Sequence, residues 1–499
     1  MRSRPLIAVL GVAAVAVSGC SASAAVDAAS ASGQSLEWRD CTEEDVTVQL
    51  PEDMGPPEPV EVPDGMECAD LEVPVDYAEP DGRTILLSVA RLPGTGSEQD
   101  PETVVHHPGG PAVPGIPEAA MAVERFDRLR EGADLVVFNP RGAVGGVRDL
   151  FPLEDCFLNG PQYTAPLTEE EFDADVAANE ERLEQCREHD PELFDNMDSA
   201  TRAHDVDALR AALGEEQVNF FGTSYGGPAG AAYARLYPDR VRTMFLDSAV
   251  SHVIGYEEEA ASDLASLEND FAGFAEWCAE DSECVWNGED VPEAWRAFVA
   301  RANEDPIPAK EYGDEPYSGY DLTIAGSVLL GYKEDWPVLS DAVGQALGGD
   351  ASAFLARSQG QPAYIGSVAA ATTCADGIRF ENYEEYRRAS EEQAELSPDF
   401  GAAMAGYETL CSAWPAPEAN PRGPIDAEGL PPILAAGSTQ EFHLTSSLAD
   451  EIPGSVALEM KGMGHGLYIG DGNECVMAHA DRYLVDGTLP EQGTVCRPD

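Results

Sequence analysis

Lysine is almost absent from this chain: Lys310, Lys333 and Lys461 are the only three lysines in 499 residues. Arginine does not make up the deficit, since 29 basic residues stand against 92 acidic ones and the formal net charge is −63. Proteins that bind nucleic acid need clustered cations for the phosphates. The composition therefore argues against nucleic acid as a partner, and its strong acidity favours solubility.

Long apolar runs are lacking as well. No stretch after residue 20 approaches the ~20 apolar residues that a membrane-spanning helix needs. Residues 1–20 have an arginine-bearing start and an apolar core over 6–17, which predicts a targeting segment. The segment ends in Val-Ser-Gly-Cys, which resembles a bacterial lipobox, although a plain signal peptide is the alternative. We expect an exported protein attached to the membrane only by a lipid on Cys20, with residues 21–37 as a flexible tether.

Metal-binding patterns are also missing, since no Cys-x-x-Cys or His-x-x-x-His pair occurs. We expect no metal and no organic cofactor. The chain has 11 cysteines, and ten remain without Cys20, an even number that suits disulfides in an oxidising compartment. Pairing neighbours along the chain, a hypothesis guided by loop length, gives Cys41–Cys68, Cys156–Cys186, Cys278–Cys284, Cys374–Cys411 and Cys475–Cys496.

What the sequence does contain is a Gly-x-Ser-x-Gly motif at residues 222–226, between an apolar run and a small-residue segment. The order of strand, sharp turn and helix is that of a nucleophile elbow. Its glycines let the chain turn tightly, which leaves Ser224 exposed on a strained turn. The N–H groups at the start of the following helix can stabilise an oxyanion. We therefore predict Ser224 as a nucleophile and the Tyr225 N–H as one oxyanion donor.

A second glycine-rich turn, Pro-Gly-Gly-Pro at residues 108–111, follows a predicted strand at 103–107. Backbone freed by glycines in this place can direct an N–H group at a carbonyl oxygen. We assign the Gly110 N–H as the second oxyanion donor, with a plain turn as the alternative.

Predicted strands and helices alternate through the first half of the chain. This alternation predicts an α/β fold with a mostly parallel sheet and a ligand site at the carboxyl ends of the strands. Residues 251–431 are mostly helical and loop-rich, which predicts a cap inserted into a core made of 38–250 and 432–499. The predicted strands are 71–75, 83–91, 103–107, 134–138, 218–221, 243–246, 432–437 and 456–460, and helices are predicted at 169–187, 200–213 and 228–237.

An elbow serine needs a base that takes its proton as it attacks. In chains with such an elbow, an acid and then a histidine follow the serine. His465 lies in a glycine-rich loop directly after the last predicted strand, so it is the predicted base. His106 and His107 close a strand near Gly110, where we expect structural hydrogen bonds instead.

Taken together, these segments resemble the α/β-hydrolase family of secreted tripeptidyl aminopeptidases and proline iminopeptidases. The resemblance implies an α/β-hydrolase fold with a helical cap. It also implies a Ser/Asp/His hydrolase that releases N-terminal residues or short peptides, while an esterase acting on small esters or amides would share the site. The motifs that carry the resemblance are residues 71–77, 109–111, 140–142, 205–210, 222–227, 237–241, 411–415, 464–466 and 486–490.

The chain departs from the family pattern at three positions. Ala112 ends the oxyanion loop where the family has glycine, and Asn139 replaces an aspartate. Gln440 stands where the family has its catalytic aspartate, and it carries no charge to stabilise an imidazolium. Glu441, one place along, is our provisional acid. Asp247 as a relocated acid, or no acid at all in a non-catalytic binding lipoprotein, remain as alternatives.

An acidic run at residues 257–259 of the predicted cap is a further candidate. Carboxylates there could hold the α-ammonium group that an aminopeptidase must recognise. In so acidic a chain, a solvated helix face is the commoner explanation of such a run.

Overall fold

The computed structural model describes residues 34–48, 60–97, 101–111, 113–143, 165–312, 316–359, 371–377, 379–415, 419–426 and 428–498. Its strands are β1 (Arg39–Asp40), β2 (Glu67–Pro74), β3 (Thr84–Leu92), β4 (Glu102–His107), β5 (Ala133–Phe138), β6 (Val218–Thr223), β7 (Val241–Asp247), β8 (Ile307–Pro308), β9 (Pro316–Tyr317), β10 (Leu434–Ser438), β11 (Val456–Met460) and β12 (Val495–Cys496).

The α-helices, besides a helical turn at 371–375, are α1 (Glu43–Val46), α2 (Gly115–Met121), α3 (Glu169–His189), α4 (Pro191–Phe194), α5 (Ser199–Leu213), α6 (Gly226–Leu236), α7 (Tyr256–Glu280), α8 (Val291–Glu304), α9 (Gly319–Leu330), α10 (Trp336–Leu347), α11 (Ser352–Gln359), α12 (Tyr383–Leu396), α13 (Gly401–Glu408), α14 (Phe442–Asp450) and α15 (Glu474–Asp486).

Ten strands form one sheet in the order β1-β2-β3-β5-β4-β6-β7-β10-β11-β12. The three pairings from β1 to β5 are antiparallel, and the six from β5 to β12 are parallel. The predicted α/β fold with a mostly parallel sheet is therefore confirmed. Because β4, β6, β7, β10 and β11 run the same way, their carboxyl ends meet at one edge, where parallel sheets bind ligands.

The central strand β6 is buried along its whole length. Its continuous apolar character is typical of a parallel strand covered by helices on both faces. Helix α5, which covers one face, begins at the N-cap Asp198, whose side chain accepts the Thr201 N–H, and ends at Gly214 with φ of 82°. An N-cap acid and a left-handed glycine are ordinary helix boundaries, and they match the predicted helix at 200–213.

Three large hydrophobic clusters divide the interior. Two of them lie on opposite faces of the sheet. The third is formed by helices α7 to α11 with α13, and aromatic rings such as Phe271, Trp295 and Phe400 pack at its centre. A helical unit with its own core agrees with an inserted cap, while the boundaries at residues 251 and 431 stay a prediction.

Four of the five predicted disulfides are present. They are Cys41–Cys68, Cys278–Cys284, Cys374–Cys411 and Cys475–Cys496. The fifth prediction involves Cys156, which lies outside the described residues, as do the targeting segment with Cys20 and the family departure at Ala112. Every helix within the described ranges is too short or too polar to cross a membrane.

A fully buried ion pair connects the end of β2 and the loop after β5 to α5. Arg141 donates to both carboxylate oxygens of Asp205, at 2.7 Å each, and both side chains are completely buried. The guanidinium also donates to the carbonyl oxygens of Val75 and Pro74, and the Tyr77 hydroxyl donates to Asp205 at 2.9 Å. Every charged atom is thus compensated, which a buried ion pair requires to be tolerated.

Replacing Asp205 with alanine should lower the free energy of unfolding by about 3–5 kcal/mol, because it leaves the Arg141 guanidinium buried without its counter-ion. Urea denaturation followed by circular dichroism would measure the change. Asp81→Ala, at an exposed position, is the control and should cost less than about 0.5 kcal/mol. Equal losses in the two variants would show that the buried pair does not stabilise the fold.

Candidate active site

Ser224 occupies the sharp turn between β6 and α6. Its φ is +54°, a left-handed conformation that non-glycine residues adopt only when the surroundings impose it. The Ser224 N–H donates to the Asp247 carbonyl at 2.9 Å, and the Ser224 carbonyl accepts from the N–H groups of Gly227 and Val250 at 2.9 and 3.0 Å. The side chain is partly exposed. The turn therefore holds a strained, accessible serine at the carboxyl end of the central strand.

Two glycines permit the close packing around this serine. A Cβ atom at Gly109 would lie 2.7 Å from the Ser224 Cβ, and a Cβ at Gly222 would lie 2.8 Å from the carbonyl oxygen of Gly226. Both distances are too short for real atoms, so any side chain would push the elbow out of shape. The loop after β4 thus lies directly against Ser224.

Two backbone N–H groups flank the serine. Gly110 follows the glycine that contacts Ser224, and Tyr225 follows Ser224 itself. Neither N–H donates a backbone hydrogen bond to any residue that the structure describes. Free donors on both sides of a nucleophile are what an oxyanion hole requires.

His465 lies in the loop after β11, and its Nδ1 is hydrogen-bonded to the Glu441 Oε1. Burial alone would lower the pKa of His465, but the hydrogen bond to Glu441 and the negative charge of that carboxylate outweigh burial and raise it. With Nδ1 occupied, Nε2 is the nitrogen that remains to take a proton. The structure thus brings together the histidine and the provisional acid of the sequence analysis.

Asp247, the alternative acid, has a different set of contacts. It is fully buried at the end of β7, and its two carboxylate oxygens accept the N–H groups of Leu467 and Tyr468 at 3.0 and 2.9 Å. Burial raises the pKa of Asp247 to about 7. Its neighbour Ser248 accepts the Gly466 N–H at 2.9 Å. These two residues hold the histidine loop in place, while the imidazole itself is bonded to Glu441.

The elbow and the histidine loop share this support. The carbonyl of Asp247 accepts the Ser224 N–H, and its carboxylate accepts the N–H groups of Leu467 and Tyr468, two and three residues after His465. Strand β7 lies next to β6 in the sheet, so its end can contact both loops at once. The two predicted catalytic side chains are therefore positioned by one common residue.

Gln440 does not face the imidazole. Its side-chain amide donates to Asp270 in helix α7 of the cap. Glu441 occupies the N-cap position of α14, one residue later, with φ of −99° and ψ of −3°. The chain thus directs two successive side chains to opposite partners, the amide to the cap and the carboxylate to His465.

The two histidines at the end of β4 are structural, as predicted. Both are fully buried, and burial lowers the pKa of each to about 3, so neither is charged at neutral pH. His107 Nδ1 bonds the Pro108 carbonyl at 2.7 Å, and His106 Nε2 lies 3.2 Å from the Thr223 Oγ1.

The acidic run at 257–259 is paired within the protein. Glu257 forms an ion pair with Arg388 and Glu258 with His443, both on the surface. Glu259 is buried and accepts from both guanidinium nitrogens of Arg422. The run as a whole is therefore not a free anionic patch for a substrate.

Sequence reasoning missed two carboxylates farther along α7. Asp263 is exposed on the surface of the helix, yet desolvation of its carboxylate by the surrounding residues and the charges of Glu259 and Glu441 raise its pKa to about 7. Burial and the charge of Glu441 likewise raise the pKa of Asp270 to about 7. Residues seven apart lie on the same face of a helix, so α7 turns an acidic face towards the His465–Glu441 pair. The seven-residue spacing of Asp263 and Asp270 was the only sign in the sequence that the two carboxylates share a helix face.

Comparisons with known proteins agree with this geometry. Residues 102–291 match a family model described as alpha/beta hydrolase fold, and residues 397–496 match one described as TAP-like protein. The tripeptidyl aminopeptidase of Streptomyces lividans is 27% identical over 503 residues, covering 95% of this chain and 89% of that protein. The serine protease Hip1 of Mycobacterium tuberculosis is 28% identical over 498 residues, covering 93% and 91%.

Two further similar proteins are named as neither a tripeptidyl aminopeptidase nor a serine protease. Carboxylesterase B of Mycobacterium tuberculosis is 28% identical over 458 residues, covering 86% of each chain. The solved proline iminopeptidase of Mycobacterium smegmatis is 15% identical with a TM-score of 0.36, covering 83% of this chain and 97% of that one. Together with the nucleophile elbow in a mostly parallel sheet, the two family-model matches show that the chain has an alpha/beta hydrolase fold and that its residues 397–496 are similar to the TAP-like family.

Proposed function

We propose that the chain is a serine hydrolase of the aminopeptidase type, with Ser224 as nucleophile, His465 as general base and Glu441 as the acid. The observation that carries the proposal is the hydrogen bond between His465 Nδ1 and Glu441, in a loop anchored to the same strand end as the Ser224 elbow. A charged acceptor on Nδ1 fixes the imidazole tautomer and stabilises the imidazolium that forms during the reaction.

The reaction would proceed in two halves. In acylation, Ser224 Oγ attacks the scissile carbonyl carbon and His465 Nε2 takes the hydroxyl proton, while the N–H groups of Gly110 and Tyr225 bind the oxyanion. The tetrahedral intermediate then collapses, and His465 gives its proton to the departing amine. In deacylation, water attacks the acyl-serine with His465 again as the base, which releases the acid and restores the Ser224 hydroxyl.

The acidic face of α7 supports an N-terminal peptide substrate. Desolvation of the carboxylates, together with the nearby charge of Glu441, raises the pKa of Asp263 and that of Asp270 to about 7. A cation placed among these carboxylates would relieve their mutual repulsion. The α-ammonium group of a peptide is such a cation, and relatives of this chain include a tripeptidyl aminopeptidase.

An esterase is the second candidate function. One relative of comparable identity is named a carboxylesterase, and the same serine, histidine and N–H groups would cleave an ester. An ester has a better leaving group than an amide, so its cleavage depends less on protonation by His465.

For localisation, we propose export directed by residues 1–20 and a lipid on Cys20, supported by the targeting and lipobox patterns there.

The test compares three substrates on the purified protein: a tripeptide anilide with a free α-amine, the same anilide acetylated at its N-terminus, and a short acyl ester. We expect kcat/KM for the free amine to exceed that of the acetylated peptide by about 100-fold, since a charged hydrogen bond of roughly 1.5–3 kcal/mol is lost on acetylation. Asp263→Asn should reduce this preference, mostly through KM.

Glu257→Gln is the matched control, because Glu257 lies on the same helix but pairs with Arg388 on the surface. Hydrolysis of the ester alone would favour the esterase. No turnover of any substrate, together with no labelling by a fluorophosphonate, would leave a binding protein on a hydrolase scaffold.

A further inference from the structure

A buried carboxylate, Asp376, collects hydrogen bonds directly behind the nucleophile elbow. It is 1% exposed and accepts from the Ser199 N–H at 2.9 Å and the Ser199 hydroxyl at 2.6 Å. The Asn420 amide donates to it at 3.1 Å, and the Tyr225 hydroxyl donates at 2.8 Å. Asp376 belongs to the turn at 371–376, inside the predicted cap, so a cap residue holds the side chain of an elbow residue.

Tyr225 is the residue whose N–H is proposed to bind the oxyanion. Its Cα carries both that N–H and the side chain, so fixing the phenol restricts rotation of the adjoining peptide groups. A hydrogen bond to a buried carboxylate is stronger than one between neutral groups. The direction of this N–H therefore depends on the 371–376 turn.

The same turn reaches the other side of the oxyanion hole through Arg202. This arginine is fully buried, and burial lowers its pKa to about 10. Its guanidinium donates to the Pro111 carbonyl and to the Thr372 hydroxyl, the latter at 2.8 Å. Pro111 directly follows Gly110, the other proposed oxyanion donor. Arg202 thus connects the glycine loop to the turn that also holds Tyr225.

A disulfide fixes the turn itself. Cys374, between Thr372 and Asp376, is bonded to Cys411, and both cysteines lie in the hydrophobic cluster shared with the sheet and α5. The turn therefore has a covalent attachment, and both oxyanion donors have a polar connection to it.

We propose that the 371–376 turn is a positioning element of the oxyanion hole, with Asp376 as the positioning residue for the Tyr225 N–H and Arg202 for the Gly110 loop. The inference rests on the proposed function and deepens it: the cap sets the rate of the chemical step in addition to the choice of substrate. Neither side chain touches the reacting atoms.

The test uses Tyr225→Phe and Asp376→Asn in the full chain. Removing an oxyanion donor outright lowers kcat by about 10²- to 10³-fold, so a loosened donor should lower kcat by about 10- to 100-fold. KM should change less than about threefold, since ground-state contacts are kept. The acid limb of the pH profile should stay in place because the His465–Glu441 pair is untouched. The double variant should lose no more activity than the more impaired single variant, since both substitutions disrupt the same Tyr225–Asp376 hydrogen bond.

Asp321→Asn is the control, since Asp321 is a buried acid of the predicted cap that accepts the N–H and the hydroxyl of Ser318 at the start of α9; it should leave kcat unchanged. The Tm of every variant shows whether it folds. If Asp376→Asn fails to fold, Tyr225→Phe still tests the inference. Wild-type kcat in a folded Tyr225→Phe protein would overturn the inference, as would losses confined to KM. A wild-type protein that neither turns over substrate nor reacts with a fluorophosphonate would overturn the proposed function first.

Discussion

Replacing Ser224 with alanine should lower kcat by about 10⁵- to 10⁶-fold, the largest effect expected of any single substitution in this chain. Without the hydroxyl no acyl-enzyme can form, and only substrate binding and the oxyanion donors remain to help water attack directly. Covalent labelling by a fluorophosphonate should disappear completely, because the probe reports an activated serine. Steady-state kinetics and gel-based labelling measure the two effects independently.

Ser447→Ala is a suitable control for this substitution. The Ser447 hydroxyl donates to the Leu444 carbonyl and lies 2.8 Å from the Ser251 hydroxyl, so it is a hydrogen-bonded serine outside the elbow. We expect wild-type turnover and labelling in that variant. Label that persists on Ser224→Ala would show that the probe reacts at another residue and that Ser224 is not the nucleophile.

The second large effect is expected for Glu441→Gln, which should lower kcat by about 10³- to 10⁴-fold. In trypsin-like enzymes the corresponding loss of charge beside the histidine lowers kcat by about 10⁴-fold, because the imidazole loses its orienting acceptor and its counter-charge. Glu258→Gln is the matched control: it removes a carboxylate that pairs with His443 on the surface, and it should leave kcat unchanged.

The pH dependence of kcat/KM tests Glu441→Gln a second time, because the direction of the expected shift is known. As a base, His465 must be neutral, so kcat/KM rises as pH passes through its pKa. Glu441 raises this pKa, so the wild-type acid limb should lie above the ordinary histidine value of about 6.5. With glutamine at 441 burial still lowers the pKa and the largest raising effect is gone, although the charges of Asp247 and Asp471 still raise it, so the limb should move to lower pH. An unmoved limb and an unchanged kcat would return Asp247 to consideration as the acid.

Much of the core could be predicted because its signals are local. The apolar run into β6, the small residues of α6 and the capping residues of α5 lie next to one another in sequence, and each predicted element formed there. His465 could be placed for the same reason, since a glycine-rich loop after the last long strand is a local pattern. The elbow and the base thus needed no knowledge of distant contacts.

The acid could not be decided from sequence, because adjacent side chains after β10 take opposite directions and the family position is filled by an amide. Only the contact of Gln440 with Asp270, 170 residues away, shows why Glu441 is left facing the imidazole. The connection from Tyr225 to Asp376 spans 151 residues. Contacts between residues this far apart in the chain follow from tertiary packing, and no periodicity in the sequence indicates them.

The sheet order has a consequence for when the enzyme becomes competent during biosynthesis. Strand β10 pairs with β7 and β11 pairs with β10, yet both are made after the whole predicted cap, and Glu441 and His465 follow them in the chain. A nascent chain therefore holds the elbow serine without the proposed base and acid until these C-terminal residues have been made, and contacts of such long sequence separation form slowly. The proposed site is complete only after the C-terminal strands have joined the sheet.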